Sequence, residues 1–153
     1  MHPSVVIEFM DKQGNVKSHP PGAPVVKIVI GQVKASDPSY PSGQNQETVY
    51  ALIDTGADDV YIDEALAARL QLHRTTSREV QGATSTIQSW AHAGFFRFSG
   101  TQKNYAADFV ATPLAGNGRR YQVVFGMQLL DKGVLEMDFH RHTYRFSLED
   151  CLP

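Results

Sequence analysis

The stretch Ala51-Leu52-Ile53-Asp54-Thr55-Gly56-Ala57-Asp58-Asp59 constrains this 153-residue chain more than any other. An apolar run leads straight into an acid, a hydroxyl and a glycine. The run reads as a buried strand, and Asp-Thr-Gly as the tight turn that ends it. Gly56 is expected to let the backbone turn sharply there. Asp54 is thereby held where a strand leaves the core, in the semi-apolar surroundings that suit an acid/base catalyst. Alone, the tripeptide is a weak signal, because Asp and Gly favour ordinary turns.

Length and composition narrow the setting. A chain of 153 residues, 42% of them apolar, is most simply one domain, 1–153, with residues 1–23 as an N-terminal extension or an interface strand. The formal net charge of −2 argues against a nucleic-acid partner, which selects for a basic excess. The single cysteine, Cys151, has no internal partner, so the chain reads as a protein of a reducing compartment. The start, Met1-His2-Pro3-Ser4, has no basic and apolar leader, and no apolar run approaches the roughly 18 residues of a membrane span. These features suggest a cytoplasmic location, either as a free protein or as the soluble domain of a larger or anchored precursor.

Short β-rich runs broken by turn residues predict an all-β domain. Val5 to Phe9 reads as a strand, Asp11 to Asn15 as a turn, and Val25 to Ile30 as a β-branched strand. The polar segment Ala35 to Gln46 reads as a long hairpin loop, with Thr48 to Ile53 returning to Asp54. Asp63 is the expected N-cap of a short helix running to Leu70. Glu79 to Phe98 reads as a hairpin with its tip near Gly82-Ala83-Thr84-Ser85. Tyr105 to Thr112 and Tyr121 to Phe125 follow as strands, then a helical turn over Gly126 to Asp131. Val134 to Phe139 and Thr143 to Leu148 read as a closing hairpin.

Several of these pieces together resemble the retropepsin-like aspartic proteases of retroviruses and retroelements. Pro24 to Val33 is similar to the inner strand that precedes the acid in that family. Asp54-Thr55-Gly56 followed by Ala57-Asp58-Asp59 resembles its active-site signature. Val80 to Ile87 stands where the family has a flap. Val123-Val124-Phe125-Gly126-Met127-Gln128-Leu129-Leu130 looks like the second signature, two apolar residues, a glycine and a short helix ending in a Leu pair. Gly133 to Leu148 resembles the terminal hairpin. The likeness covers most of residues 24–148, in the family's order.

The resemblance implies a closed, all-β acid-protease barrel with one or two short helices, functional as a two-fold homodimer. It implies an aspartic endopeptidase acting on peptide or protein substrates without a cofactor or metal. Asp54 would be catalytic, with Thr55 locking the two active-site loops together and Gly56 accepting close approach by the substrate. Ala57, Asp58, Asp59 and Val124 would line the substrate, and Gly82, Ala83 and Thr84 would belong to the flap. One carboxylate motif per chain requires a second copy to complete a pair. The sequence departs from the viral pattern at Met127, where an arginine commonly pairs with the acid at the Asp58 position.

Two rival readings remain at this level. One is a catalytically silent relative that keeps the fold for dimerisation or peptide binding. The other is a small β adaptor in which Asp-Thr-Gly is only a turn. His140 and His142 share a strand face but lack a third ligand, so an exposed turn is the simpler reading than a metal site. Trp90 and the Phe95-Phe96-Phe98 cluster read as packing residues, and Arg119-Arg120 as a solvated loop.

Overall fold

The computed structural model describes residues 4–81 and 86–148. In chain order the strands are β1 (Ser4–Val6), β2 (Glu8–Met10), β3 (Val16–Lys17), β4 (Ala23–Val33), β5 (Pro41–Ile53) and β6 (Val60–Asp63). Helix α1 (Glu64–Arg69) follows, then β7 (His73–Gln81), β8 (Thr86–Phe98) and β9 (Tyr105–Thr112). A single 3-10 turn (Ala115–Asn117), β10 (Val123–Phe125), α2 (Met127–Leu130), β11 (Gly133–Asp138) and β12 (Thr143–Leu148) complete the chain.

Six strands close a barrel in the order β4-β5-β10-β6-β9-β8, with β8 returning to β4 through pairs from Ile28–Phe98 to Gly31–Phe95. Closure at Gly31 depends on its missing side chain, since a Cβ there would lie 2.6 Å from the Gln46 Cβ. Alternation along β4 explains the interior: Val26, Ile28 and Ile30 are fully buried, while Lys27 between them faces water. Phenylalanines fill the centre. Phe96 lies 5.0 Å from Phe125 and 5.3 Å from Tyr105, centroid to centroid, and Phe98 contacts Phe146 at 6.1 Å. The last of these ties the β11–β12 hairpin to the barrel.

The decisive topological feature is β10. It is inserted between β5, which it pairs in parallel, and β6, which it pairs antiparallel. The loop from Asp54 to Asp59 joins β5 to β6 and therefore straddles the end of β10. Gly126 follows β10 at the point where that loop passes closest. A Cβ on Gly126 would overlap the Asp59 carbonyl oxygen and come within 2.7 Å of the Ala57 oxygen. The backbone there is extended, so the requirement is for space and not for a left-handed conformation.

Several local expectations are corrected. The first strand is two, β1 against β12 and β2 against β4, divided at the buried Ile7. The hairpin loop after β4 is short: Lys34 N–H bonds to the Tyr40 carbonyl at 2.8 Å, and β5 starts at Pro41. The polar residues there form an exposed ladder with β4, whose backbone bonds outweigh their low strand propensity. Asp63 occupies the N-cap position of α1, as expected, but its side chain makes no capping bond to the helix. Its buried carboxylate accepts the Ala115 N–H at 3.0 Å and so supports the 3-10 turn from a distance. Tyr121 and Gln122 lie outside β10. Phe95, Phe96 and Phe98 are core, whereas Trp90 is exposed beneath the Arg74 guanidinium. Among the described residues no helix is long and apolar enough to cross a membrane.

Two outcomes follow from this packing. Gly126→Ala should destabilise the fold by about 1–3 kcal/mol or more, read as a lowered denaturant midpoint, because backbone atoms must move to admit the methyl. His92 is buried in β8, and burial holds its imidazole below the ordinary histidine range. The folded state therefore binds its proton less readily than the unfolded chain. The stability this contributes is present above the unfolded value of about 6.5 and is lost as pH falls towards the folded one. His92→Asn should show a smaller loss of denaturant midpoint between pH 7.5 and 5.5 than the wild type.

Candidate active site

Asp54 sits one residue past the end of β5. Its own N–H bonds to the Phe125 carbonyl at 3.0 Å, which continues the parallel β5–β10 ladder into the loop. Ala57 N–H then closes on the Asp54 carbonyl at 3.2 Å. The far side of the loop is pinned as well, because Met127 N–H donates to the Ala57 oxygen and Gln128 N–H to the Asp58 oxygen, each at 2.8 Å. The loop is thus sewn to both the end of β10 and the start of α2. A carboxylate at its apex has little freedom beyond its own rotamer.

That rotamer is also held. Gly56 N–H donates to Asp54 Oδ1 at 2.9 Å, a bond from a neutral donor to an ionisable acceptor. Asp54 is half-buried, while Thr55 and Gly56 are exposed. The role of Gly56 differs in part from the expectation. The backbone turns at Thr55 and Gly56 as expected, but Gly56 is not among the glycines in the left-handed region, so no positive φ calls for glycine there. A Cβ there would stand 3.3 Å from Asp54 Oδ1, and its absence leaves the carboxylate open on that side.

Strand register defines the surroundings. Val124 is paired with Leu52 on one side and Tyr61 on the other, and directly paired residues share a face. Their neighbours Phe125, Ile53 and Val60 are buried core residues on the opposite face. Leu52, Val124 and Tyr61 therefore make an apolar band on the same side of the strands as Asp54. Two phenols flank the acid, and neither stood out in the sequence. Burial raises the Tyr61 hydroxyl above the ordinary tyrosine value, and the charges of Asp59, Asp58 and Asp54 add to the rise. Burial likewise raises Tyr121, opposed by Arg119 and reinforced by Asp54. Only the alternation of β6 and the register of β10 reveal these neighbours.

The structure gathers Asp54, Thr55, Gly56, Ala57, Asp58, Asp59 and Val124 at one end of the barrel. Ala57 and Asp59 are half-buried and Asp58 is exposed. Met127 is 41% exposed, and among the described residues no cation pairs with Asp58. Asp58 is held through its backbone oxygen, so its side chain is free to meet solvent or a ligand. Gly82, Ala83, Thr84 and Ser85 lie outside the described residues. His140 is in an exposed turn, its N–H bonded to Asp138 Oδ1 at 3.0 Å. Among the described residues no group of three or more His, Cys, Asp or Glu is clustered for a metal.

The fold has counterparts among solved structures. A retropepsin-like aspartic protease from Rickettsia conorii superposes with a TM-score of 0.55 at 14% identity, covering 97% of this chain and 92% of that one. EIAV protease, complexed with an inhibitor, matches with a TM-score of 0.48 at 15% identity over 71% of this chain and 86% of its own. No curated protein matches by sequence. The barrel with its inserted β10 is retropepsin-like. The family model for aspartyl proteases matches residues 42–139, which include the whole Asp54 loop, β10 and α2, and the chain belongs to that family.

Proposed function

We propose that the protein is a homodimeric aspartic endopeptidase in which two Asp54 carboxylates, one from each subunit, activate water against a peptide bond. The observation that carries this reading is the fixed, half-open Asp54 at the apex of a loop bonded to both β10 and α2. Packing alone requires no carboxylate at that position.

The chemistry explains the need for two copies. Peptide hydrolysis by water requires a base to take a proton from the nucleophile and an acid to protonate the carbonyl oxygen. Two carboxylates sharing one proton provide both. The ionised one takes the water proton as the oxygen attacks the carbonyl carbon, while the protonated one gives its proton to the carbonyl oxygen. Collapse of the tetrahedral diol returns a proton to the departing amide nitrogen and leaves the pair with one shared proton again. Each chain offers one Asp-Thr-Gly, so a two-fold axis beside Asp54 is the economical way to assemble the pair. The exposure of Thr55 and Gly56 on the isolated chain favours a partner or substrate at this surface.

The remaining roles are those the family resemblance implies, and the placement of these residues around one loop supports them. Thr55 bridges the two loops across the axis by its hydroxyl. An extended peptide lies over the Leu52, Val124 and Tyr61 band, with its backbone near Gly56, Ala57, Asp58 and Asp59. Among the described residues no cation pairs with Asp58, which leaves that carboxylate available to backbone N–H groups of a substrate. The pairing of β1 with β12 and of β2 with β4 supports reading residues 4–23 as part of the same domain.

Asp54→Asn should lower kcat/KM on cleaved peptides by about a thousandfold or more while the denaturant midpoint stays near wild type. Near-wild-type cleavage by the purified variant would exclude this residue as the catalyst. Thr55→Ala should weaken dimerisation by about tenfold in Kd, by sedimentation, because a bridging hydrogen bond contributes about 1–1.5 kcal/mol. The profile of kcat/KM against pH should be bell-shaped and centred below neutrality, since the pair works only with one shared proton. The profile should be unchanged by chelator. Activity rising steadily into alkaline pH, or abolished by chelator, would contradict the mechanism.

A further inference from the structure

A cavity of about 650 Å³ opens between the β2–β3 turn and the loop that leads into β10. Its lining is part apolar, with Met10, Pro21, Ala23 and Tyr121, and part cationic, with Lys12 and Lys17 from the hairpin and Arg119 and Arg120 from the loop. Among the described residues none of these four cations is in an ion pair. The acid in the lining, Asp11, is committed locally, its carboxylate accepting the Gln13 and Asn15 N–H groups at 2.9 Å each. The two walls are fitted together: a Cβ on Gly14 would meet Arg120 Cβ at 3.3 Å, so the Arg120 stem lies directly across that turn.

Four unpaired cations around one cavity are notable in a chain whose net charge is −2. Their mutual repulsion contributes nothing to the fold, and an anion seated among them relieves it. Guanidinium groups match carboxylates in a planar, two-bonded geometry, and the apolar part of the lining suits the methylenes of the same side chain.

The cavity also shares a chain segment with the Asp54 end of the barrel. Its wall residue Tyr121 feels the charges of both Arg119 and Asp54. From Tyr121 the chain enters β10 and reaches Phe125, whose carbonyl holds the Asp54 N–H. Extended chain rises about 3.3 Å per residue, so Tyr121 lies at most ~13 Å along the strand from Phe125, about four positions of an extended peptide.

We propose that this cavity is a specificity subsite that takes an acidic side chain, Asp or Glu, a few positions from the scissile bond of the substrate. The proposal rests on the peptidase reading, and its test separates the two. Octapeptide pools, randomised except for one position fixed in turn as Glu, Gln or Lys, are offered to the full chain. Wild type is assayed for cleavage and Asp54→Asn for binding by fluorescence anisotropy.

At one position the Glu pool should be cleaved and bound about tenfold better than the Gln pool, a preference that shrinks as salt is raised. The exposed double variant Lys12→Glu with Arg119→Glu should reverse that preference towards the Lys pool. Cleavage without any Glu preference in either assay would overturn the subsite and leave the peptidase reading intact. Glu-selective binding with no cleavage of any pool would support the subsite and sink the peptidase reading. Preference unaltered by the double variant would place acidic selectivity elsewhere and overturn the assignment.

Discussion

The hydrogen bond from Asp54 N–H to the Phe125 carbonyl is the contact on which the site depends. It makes the acid the last rung of a parallel ladder between β5 and β10. Because β10 also pairs with β6, the two ends of the Asp54–Asp59 loop leave strands on opposite sides of the same central strand. The bonds from Met127 and Gln128 to the loop carbonyls complete the attachment. Gly126 makes it sterically possible, since only a residue without a side chain lets the two loops approach so closely. The position of the carboxylate is therefore set by the barrel's connectivity more than by the turn itself.

Function separates into two electrostatic neighbourhoods. Around Asp54 the environment is apolar and acidic, with Leu52, Val124 and the phenols of Tyr61 and Tyr121 near Asp58 and Asp59. Around the β2–β3 turn the environment is cationic. Tyr121 stands between the two. If the proposed peptidase and subsite hold, this polarity would give an extended substrate a direction to lie in and would add residues 11–17, outside the span matched by the family model, to the substrate-facing surface.

Much of this was legible in the residues. The apolar run into Asp54, the Gly126 signature and the closing hairpin each carry local patterns, and each falls where the patterns place it. What was not legible is what arises from distant pairing. Nothing in the β10 sequence says that it inserts between β5 and β6. Polar residues 41–46 look like a loop because their strand state is imposed by β4 and not by their own preference. Asp63 looks like a helix cap, yet its partner is the N–H of Ala115, reached only through the fold. Gly56 looks like a turn glycine and lies in the turn, yet its missing side chain serves to leave Asp54 uncovered. Arg119-Arg120 looks like a solvated loop, and both residues are exposed there, but only the fold brings them beside the N-terminal hairpin in one cavity.

The central claim is that catalysis needs one Asp54 from each of two chains. Mixing subunits tests it directly. Wild type and Asp54→Asn are unfolded together in varied ratio and refolded at constant total concentration, so that subunits pair at random. If both carboxylates are required, activity follows the square of the wild-type fraction, falling to about a quarter at equal amounts. Activity that falls in direct proportion to the wild-type fraction would mean that each chain works alone, and would contradict the shared pair.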